Sequence, residues 1–475
     1  VTVATLELDD MQGLIPRGYS TLRRACFLML TINDPTSART ALGELTPRVT
    51  SGRAEPSDTA INLAFTSDGI RLLGLDTRGL DGFPEEFVSG MTDPNRSRLL
   101  GDTGENAPRY WRWGGPATPP VHVLALLYAR DEAGLGRLEA GVRQGVLATG
   151  GLTELVRLGT DELTDHEPFG FRDGISQPLI EGLPKATAAR VNGTAGDDVV
   201  KAGEFILGYP NEYGLLTDRP LLPPPHDSAG LLPRGPGGTD ADLGYNGTYL
   251  VARQLHQDVD AFWDYLEEAT RRPDGSGDPA ARDALAARMV GRWPGGAPLI
   301  RAPWQDDPAL ATDNDFGYFS TDRDGLRCPL GAHIRRANPR DSLDPRPGSA
   351  ASIAIGRRHR ILRRGRAYAD GGTGSGGERG LHFLCLNANI SRQFEFIQHT
   401  WLNNPNFNGL YDSPDPLIAP HRDHRSTFTE QARPVRTRHV GLPQFVSVRG
   451  GAYFFLPGLR ALRFLCAATG KGEQR

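Results

Sequence analysis

Cysteine is scarce in this chain of 475 residues. The four present, Cys26, Cys328, Cys385 and Cys466, lie far apart and mostly within apolar runs. They form neither a CxxC pair nor a CxxCH signal, which argues against zinc, iron–sulfur clusters and covalently attached c-type haem. Buried free thiols in a reducing compartment fit the pattern. Lysine is scarcer still: only Lys185, Lys201 and Lys471 occur, leaving 50 of the 53 basic residues as arginine. A GC-rich genome produces that bias with no functional cause, so arginine richness by itself proves nothing. No apolar run approaches the roughly 18 residues of a membrane-spanning helix. The N-terminus, Val-Thr-Val-Ala-Thr-Leu-Glu-Leu-Asp-Asp, lacks the basic-then-apolar layout of a signal peptide. The cytoplasm is therefore the expected location, with trimming ahead of residue 1 left open. A net charge of −4 gives no reason to expect nucleic acid as a partner.

What is there points to a globular chain, 38% hydrophobic and 23% charged, too long for one ordinary core. Residues 25–33 read as a buried strand closed by Asn-Asp-Pro, and 60–65 as another. Ser67 is placed to cap a short helix carrying Ile70, Leu72, Leu73 and Leu75. A strand over 121–129, a helix over 133–146 and a strand near 152–158 follow. The Pro/Gly-rich stretch 207–247 reads as a long connection. The earlier rhythm then returns: strand 248–253, helix 259–269 with Phe262, Trp263 and Leu266 buried, strand 381–386, helix 391–402, strands 445–448 and 453–456, and a last helix opened by Pro457-Gly458. This alternation suggests an α+β sheet covered on one face, and two similar halves imply a duplicated fold.

Three stretches carry chemistry. In 328–340, Cys-Pro-Leu-Gly-Ala-His-Ile-Arg-Arg-Ala-Asn-Pro-Arg, His333 follows apolar residues and precedes Arg335, Arg336 and Arg340. An imidazole there can bind a metal, and guanidiniums beside it can hold a polyanion. Haem offers both partners, an iron and two propionates; the bland reading is a core histidine beside a solvated basic loop. Residues 327–366 hold eleven arginines against two acids, Asp341 and Asp344. In 166–178, His-Glu-Pro-Phe-Gly-Phe-Arg-Asp-Gly-Ile-Ser-Gln-Pro, Asp173-Gly174 taken alone is a tight-turn signal. The third stretch, Arg360 to Tyr368, reads as a basic strand running into a glycine-rich loop over 365–380.

Together and in this order the three resemble the dye-decolourising peroxidases. Gly170-Phe-Arg-Asp-Gly174 matches the family's GxxDG signature, His333 to Arg340 its proximal-histidine segment, and Ile361-Leu-Arg-Arg-Gly365 its distal-arginine segment. Ala64-Phe-Thr66, Arg288 to Trp293 and Arg449 to Pro457 are also similar, so the resemblance covers nearly the whole chain. Its length and insertions look like the larger (class C/D-like) branch. The resemblance implies two ferredoxin-like α+β modules of the dimeric α+β barrel type, with antiparallel sheets and helices on the outside. We expect the division at 1–215 and 216–475, with haem in the second module.

It further implies a non-covalent haem b and a peroxidase that uses hydrogen peroxide, through a ferryl (Compound I) intermediate, to oxidise an organic reductant, a dye or phenol, with manganese(II) open. His333 would be the proximal iron ligand. Its other N–H would go to a carboxylate, Asp415 as the best match and Glu395 on the 391–402 helix as runner-up. Asp173 would carry the proton between the two peroxide oxygens, and Arg363 would supply positive charge where the O–O bond separates. An acidic optimum follows from an ordinary carboxylate pKa of about 3.9. Gly174, Ile175, Ser176, Asn338 and Arg340 would meet the propionates, with Arg335 a further candidate from its position alone.

Trp401 and Tyr368 match positions that relay electrons in some members. Ile390, Phe394, Ile397 and Trp401 also fall on one helical stripe, which is ordinary core packing, whereas the glycine-rich loop favours exposure for Tyr368. Two other readings compete. One is a non-catalytic haem-binding or iron-recovering protein, which has no need of Asp173 and Arg363 together. The other is a hydrolase or non-haem metal protein using His421, Asp423 and His424.

Overall fold

The apolar run near residue 25 forms strand β1 (Arg24–Ile32), buried along almost its whole length. The computed structural model describes residues 5–75, 80–192, 196, 198–370, 377–421 and 426–467. β1 is followed by helix Pro35–Leu45, β2 (Thr59–Phe65), β3 (Val123–Ala129), helix Glu132–Val146 and β4 (Leu152–Gly159). The C-terminal half repeats the order with β5 (Thr248–Gln257), helix Val259–Ala269, β6 (Leu362–Arg363), β7 (Arg366–Ala369), β8 (Arg379–Asn387), a helical stretch over 391–402 and β9 (Val446–Leu456).

The pairings show the duplication that rhythm only suggested. β1 lies between β3 and β4, and β2 pairs with β3. In the same way β5 lies between β8 and β9, and β6 and β7 pair with β8. All these pairs are antiparallel, and each half has the strand order of a ferredoxin-like module. The two sheets are not separate: Phe455 of β9 pairs with Phe65 of β2, making one nine-stranded sheet. At its far edges a bond from Asp161 N–H to Ala367 O (2.9 Å) joins the two sides, but among the described residues no ladder closes the sheet into a barrel.

Side chains alternate across a strand. Cys26, Leu28 and Leu30 pack with the helices, while Ala25, Phe27 and Met29 enter a second core with Met11, Leu14, Ile15, Phe205 and Ile206. Both faces are therefore covered, which corrects the expectation of a one-sided sheet. The second face is filled by loop segments whose apolar residues show no periodicity. The helix-side core takes residues from both halves, Ile61 and Leu63 as well as Val251 and Tyr453.

Smaller differences have local causes. The cap of helix Ser67–Leu72 is Thr66, whose hydroxyl accepts from Gly69 N–H (3.1 Å). Trp263 is only half-buried. The two strands expected at 445–456 are one, bulged between Val448 and Gly450. Gly450 is needed because a Cβ there would lie 2.4 Å from the Trp113 indole nitrogen. The 391–402 helix is wide: Glu395 N–H donates to Ile390 O and Asn403 N–H to Gln398 O. Such i→i+5 turns are uncommon and often sit at functional sites. Among the described residues no helix is long and apolar enough to cross a membrane.

Candidate active site

One cavity lies against the helix-side face of the C-terminal half. Its sheet wall is Arg253, Leu255 and Gln257 of β5, Leu381 and Phe383 of β8, and Val446 and Val448 of β9. The short helix His333–Ala337 and the 391–402 helix, through Ile397, Gln398 and Leu402, supply further wall. The 166–178 segment brings in Asp173, Ile175 and Ser176.

His333 lines this cavity, and its Nδ1 is 2.9 Å from Asp415 Oδ2. Asp415 is fully buried, and its other oxygen accepts from the N–H groups of Leu417 and Ile418 (both 3.0 Å). Burial works to raise its pKa, but the His333 ring and these bonds outweigh it and hold the carboxyl below its ordinary value. With Nδ1 engaged, Nε2 is the ring nitrogen left for a metal. Glu395, the alternative partner, is elsewhere: it takes Arg96 (2.9 Å) and Tyr453 OH (2.8 Å).

Asp173 and Arg363 also line the cavity, joined by a 2.8 Å ion pair. Gly174 N–H donates to Asp173 Oδ1 (2.6 Å), and Gly174 has φ +78°, which suits glycine there. Gln177 ties the loop to β6, its amide bonding both the N–H (3.2 Å) and the C=O (3.3 Å) of Arg363. Burial again acts to raise the Asp173 pKa, and the Arg363 charge with the Gly174 bond overcomes it, leaving the carboxyl below its usual 3.8.

The residues expected at the propionates divide. Ile175, Ser176, Asn338 and Arg340 line the cavity; Gly174 acts through its bond to Asp173. Arg340 spends its guanidinium on Asn314 and Phe316 carbonyls (2.9 and 3.0 Å) and on Asn314 Oδ1 (2.5 Å). Arg335 must be corrected. It points away from the cavity, fully buried on Asp322 (3.0 Å) and the Cys328 carbonyl (2.7 Å), because two steps along a helix turn a side chain to the far side. Arg360, not singled out from the sequence, does line the cavity, held by Asp198 (2.9 Å). Its Nη2 and the Asn338 Nδ2 are buried with no partner among the described residues.

Arg336 was grouped with the polyanion-binding arginines but does something else. Buried completely, it donates to the carbonyls of Trp401 (2.9 Å), Leu402 (3.2 Å), Asn404 and Ser413 (3.0 Å). It thereby ties the helix of His333 to the loop of Asp415. His421 has its ring nitrogens against the carbonyls of Pro443 (2.6 Å) and Asp415 (3.2 Å), which leaves it unsuited to the non-haem metal reading. Asp423 and His424 lie outside the described residues.

No family model matches the chain. It is, however, 31% identical over 498 aligned residues to a dye-decolorizing peroxidase of Exidia glandulosa, covering 98% of this chain and 89% of that protein. The chain belongs to the dye-decolourising peroxidase family. It is an enzyme of the peroxidase class. Among solved structures, the dye-decolourising peroxidase of Auricularia auricula-judae superposes with TM-score 0.77 at 28% identity, covering 98% of this chain and all of that one. An ancestral D-type member gives TM-score 0.77 at 28% identity with the same coverage, which agrees with the larger branch.

For a dye-decolourising peroxidase the relay candidates are unevenly placed. Trp401 is 5% exposed, on the helix that walls the cavity, with its ring against His359 (5.1 Å) and Phe396 (5.4 Å). Tyr368 is 1% exposed, against the expectation of an exposed loop residue. It stacks on His382 (4.4 Å), which alternates with Leu381 and Phe383 and so faces the opposite side of the sheet from the cavity.

Proposed function

We propose that the cavity holds haem b non-covalently, with His333 Nε2 on the iron and Asp173 and Arg363 on the peroxide side, and that hydrogen peroxide is reduced there at the expense of a dye, a phenol or another one-electron donor. The observation that carries this reading is a single cavity lined both by a histidine bonded to a buried carboxylate and by a carboxylate–guanidinium pair. Haem fits the wall chemistry: the unpartnered Asn338 Nδ2 and Arg360 Nη2 are donors of the kind that propionates accept. When bound, haem supplies the iron at which the O–O bond is cleaved. Asp415 accepts the His333 N–H and makes the imidazole electron-rich. Asp173, ionised because of Arg363, would take a proton from hydrogen peroxide and return it to the departing oxygen. Arg363 stabilises the negative charge that grows on that oxygen.

Trp401, in contact with the cavity wall, is the proposed relay for donors too large to enter; Tyr368, across the sheet, has no such support. We propose an organic reductant, with manganese(II) open as a second donor. We also propose the division near residue 215, supported by one strand–helix repeat on each side of it. The purified protein should show a haem Soret band that one equivalent of peroxide converts within the mixing time, and His333→Ala should abolish the native band. A band untouched by peroxide would make the protein a haem carrier instead.

A further inference from the structure

Glu167 is a half-buried cavity-wall carboxylate that none of the steps above uses. It lies six residues before Asp173 and has no cation among the described residues to pair with. Instead its Oε1 accepts from Phe171 N–H (2.9 Å), and its Oε2 accepts from Phe169 N–H (3.0 Å) and from Gln257 Nε2 (2.7 Å). Its own backbone closes the same turn, N–H to Phe171 O (2.9 Å) and C=O from Gly170 N–H (2.8 Å). Burial pushes its carboxyl up, against these three donors. A carboxylate without a counter-charge is costly to bury. Apolar packing of Phe169 on Phe262 (4.6 Å) and Phe171 on Trp263 (6.5 Å) already covers the outside of this turn. The carboxylate adds what packing lacks, an acceptor able to take both N–H groups while gripping the amide of a sheet residue.

We propose that Glu167 is the positioning residue for Asp173. It fixes the turn 167–171 to Gln257 on β5, so the proton carrier takes its place from the rigid sheet and not from its own loop. Beyond the turn, two backbone bonds, Arg172 N–H to Pro294 O (3.0 Å) and Asp173 N–H to Asp165 O (2.9 Å), and the Arg172–Asp165 ion pair (2.9 Å) continue the restraint, which the Gln177 tie to β6 completes on the far side of Asp173. The inference rests on Asp173 as the proton carrier.

The test uses holoenzyme in three forms: wild type, Glu167→Gln, and the exchanged pair Glu167→Gln with Gln257→Glu. A glutamine at 167 accepts one N–H and leaves the other unpaired. Hydrogen exchange across 166–174 should speed up on the order of tenfold. The rate of reaction with peroxide should fall by a similar factor, with the KM for a small phenol unchanged. The exchanged pair restores the 167–257 bond but not both loop N–H contacts, so it should not rescue either readout. Rescue would mean that the cross-link alone matters and would overturn the proposal, as would a loosened loop with an unchanged peroxide rate. Should Glu167→Gln fail to take up haem, Gln257→Leu cuts the anchor to β5 and keeps the two N–H bonds; an unslowed peroxide step there overturns the anchoring. Asp173→Asn is the reference: if it leaves the peroxide step unslowed, the role of Asp173 fails, while the exchange data still report what Glu167 holds.

Discussion

The two walls of the cavity are built on opposite plans. On the His333 side the supporting groups are sealed: Asp415 and Arg336 are both 0% exposed, and among the described residues the hydrogen bonds of their side chains beyond His333 all go to backbone. On the other side Arg363 and Asp173 keep 33% and 44% of their side-chain surface open to the cavity. A group that holds a ring nitrogen in one orientation gains from being locked by main-chain partners that cannot rotate away. A group that must trade a proton with a ligand has to stay reachable. The comparison teaches that removal of a residue on one wall should be felt in folding, and on the other in rate.

The largest effect expected is on the open wall. Asp173→Asn should slow the reaction with peroxide by about 10²–10⁴-fold and Arg363→Leu by about 10²–10³-fold, timed by stopped-flow absorbance. Both should leave thermal stability within about 0.5 kcal/mol, since the pair is partly exposed. Arg336→Leu should do the reverse. It strands buried carbonyls that lose their donor, at a cost on the order of 3 kcal/mol in unfolding free energy. A stable Arg336→Leu protein, or an unfolded Asp173→Asn one, would erase the distinction between the walls.

The pH profile sharpens the same contrast. In the proposed mechanism the ionised form of Asp173 is the base, and its pKa is lowered, so the peroxide step is fully available above that pKa and is lost as pH falls through it. The lowered pKa replaces the acidic optimum expected from an unshifted carboxylate: the rate should hold level from neutral pH down past the ordinary carboxylate value near 3.9, then drop about tenfold per pH unit. Without Arg363 the largest influence holding this pKa down is gone and burial is opposed chiefly by the Gly174 bond and the His333 ring, so in Arg363→Leu the acid limb should move to higher pH. An acid limb that stays put in that variant would remove Asp173 as its source.

How much of this was legible depended on what each residue faces. His333 with Asp415, and Asp173 with Arg363, were found because their spacing and order match a family pattern, and the structure brings each couple within 3 Å. The strand–helix order was legible because buried strands are short apolar runs. The facing of an arginine was not: Arg335, Arg336 and Arg340 are alike in composition but meet an aspartate, a set of carbonyls and the cavity edge respectively. Helical geometry alone would have turned Arg335 away from His333. Glu167, ahead of a proline in a motif read for its aspartate, gave no signal of burial. Tyr368 was misplaced because a glycine-rich stretch says nothing of what covers the strand before it.

The smallest effect concerns whether the sealed side also carries electrons. Trp401 belongs to it twice over: its carbonyl is held by Arg336 and its ring is shut behind His359 and Phe396. A dye cannot touch a residue 5% exposed, so any contribution passes through the rings that cover it. Trp401→Phe preserves an aromatic in the core and removes the more easily oxidised indole. It should leave the peroxide step and turnover of a small phenol unchanged and lower turnover of a bulky dye by tenfold at most, about 1.4 kcal/mol in barrier. Equal turnover of the bulky dye would return Trp401 to plain core packing, and the division of labour between the walls would then be complete: one to hold still, the other to react.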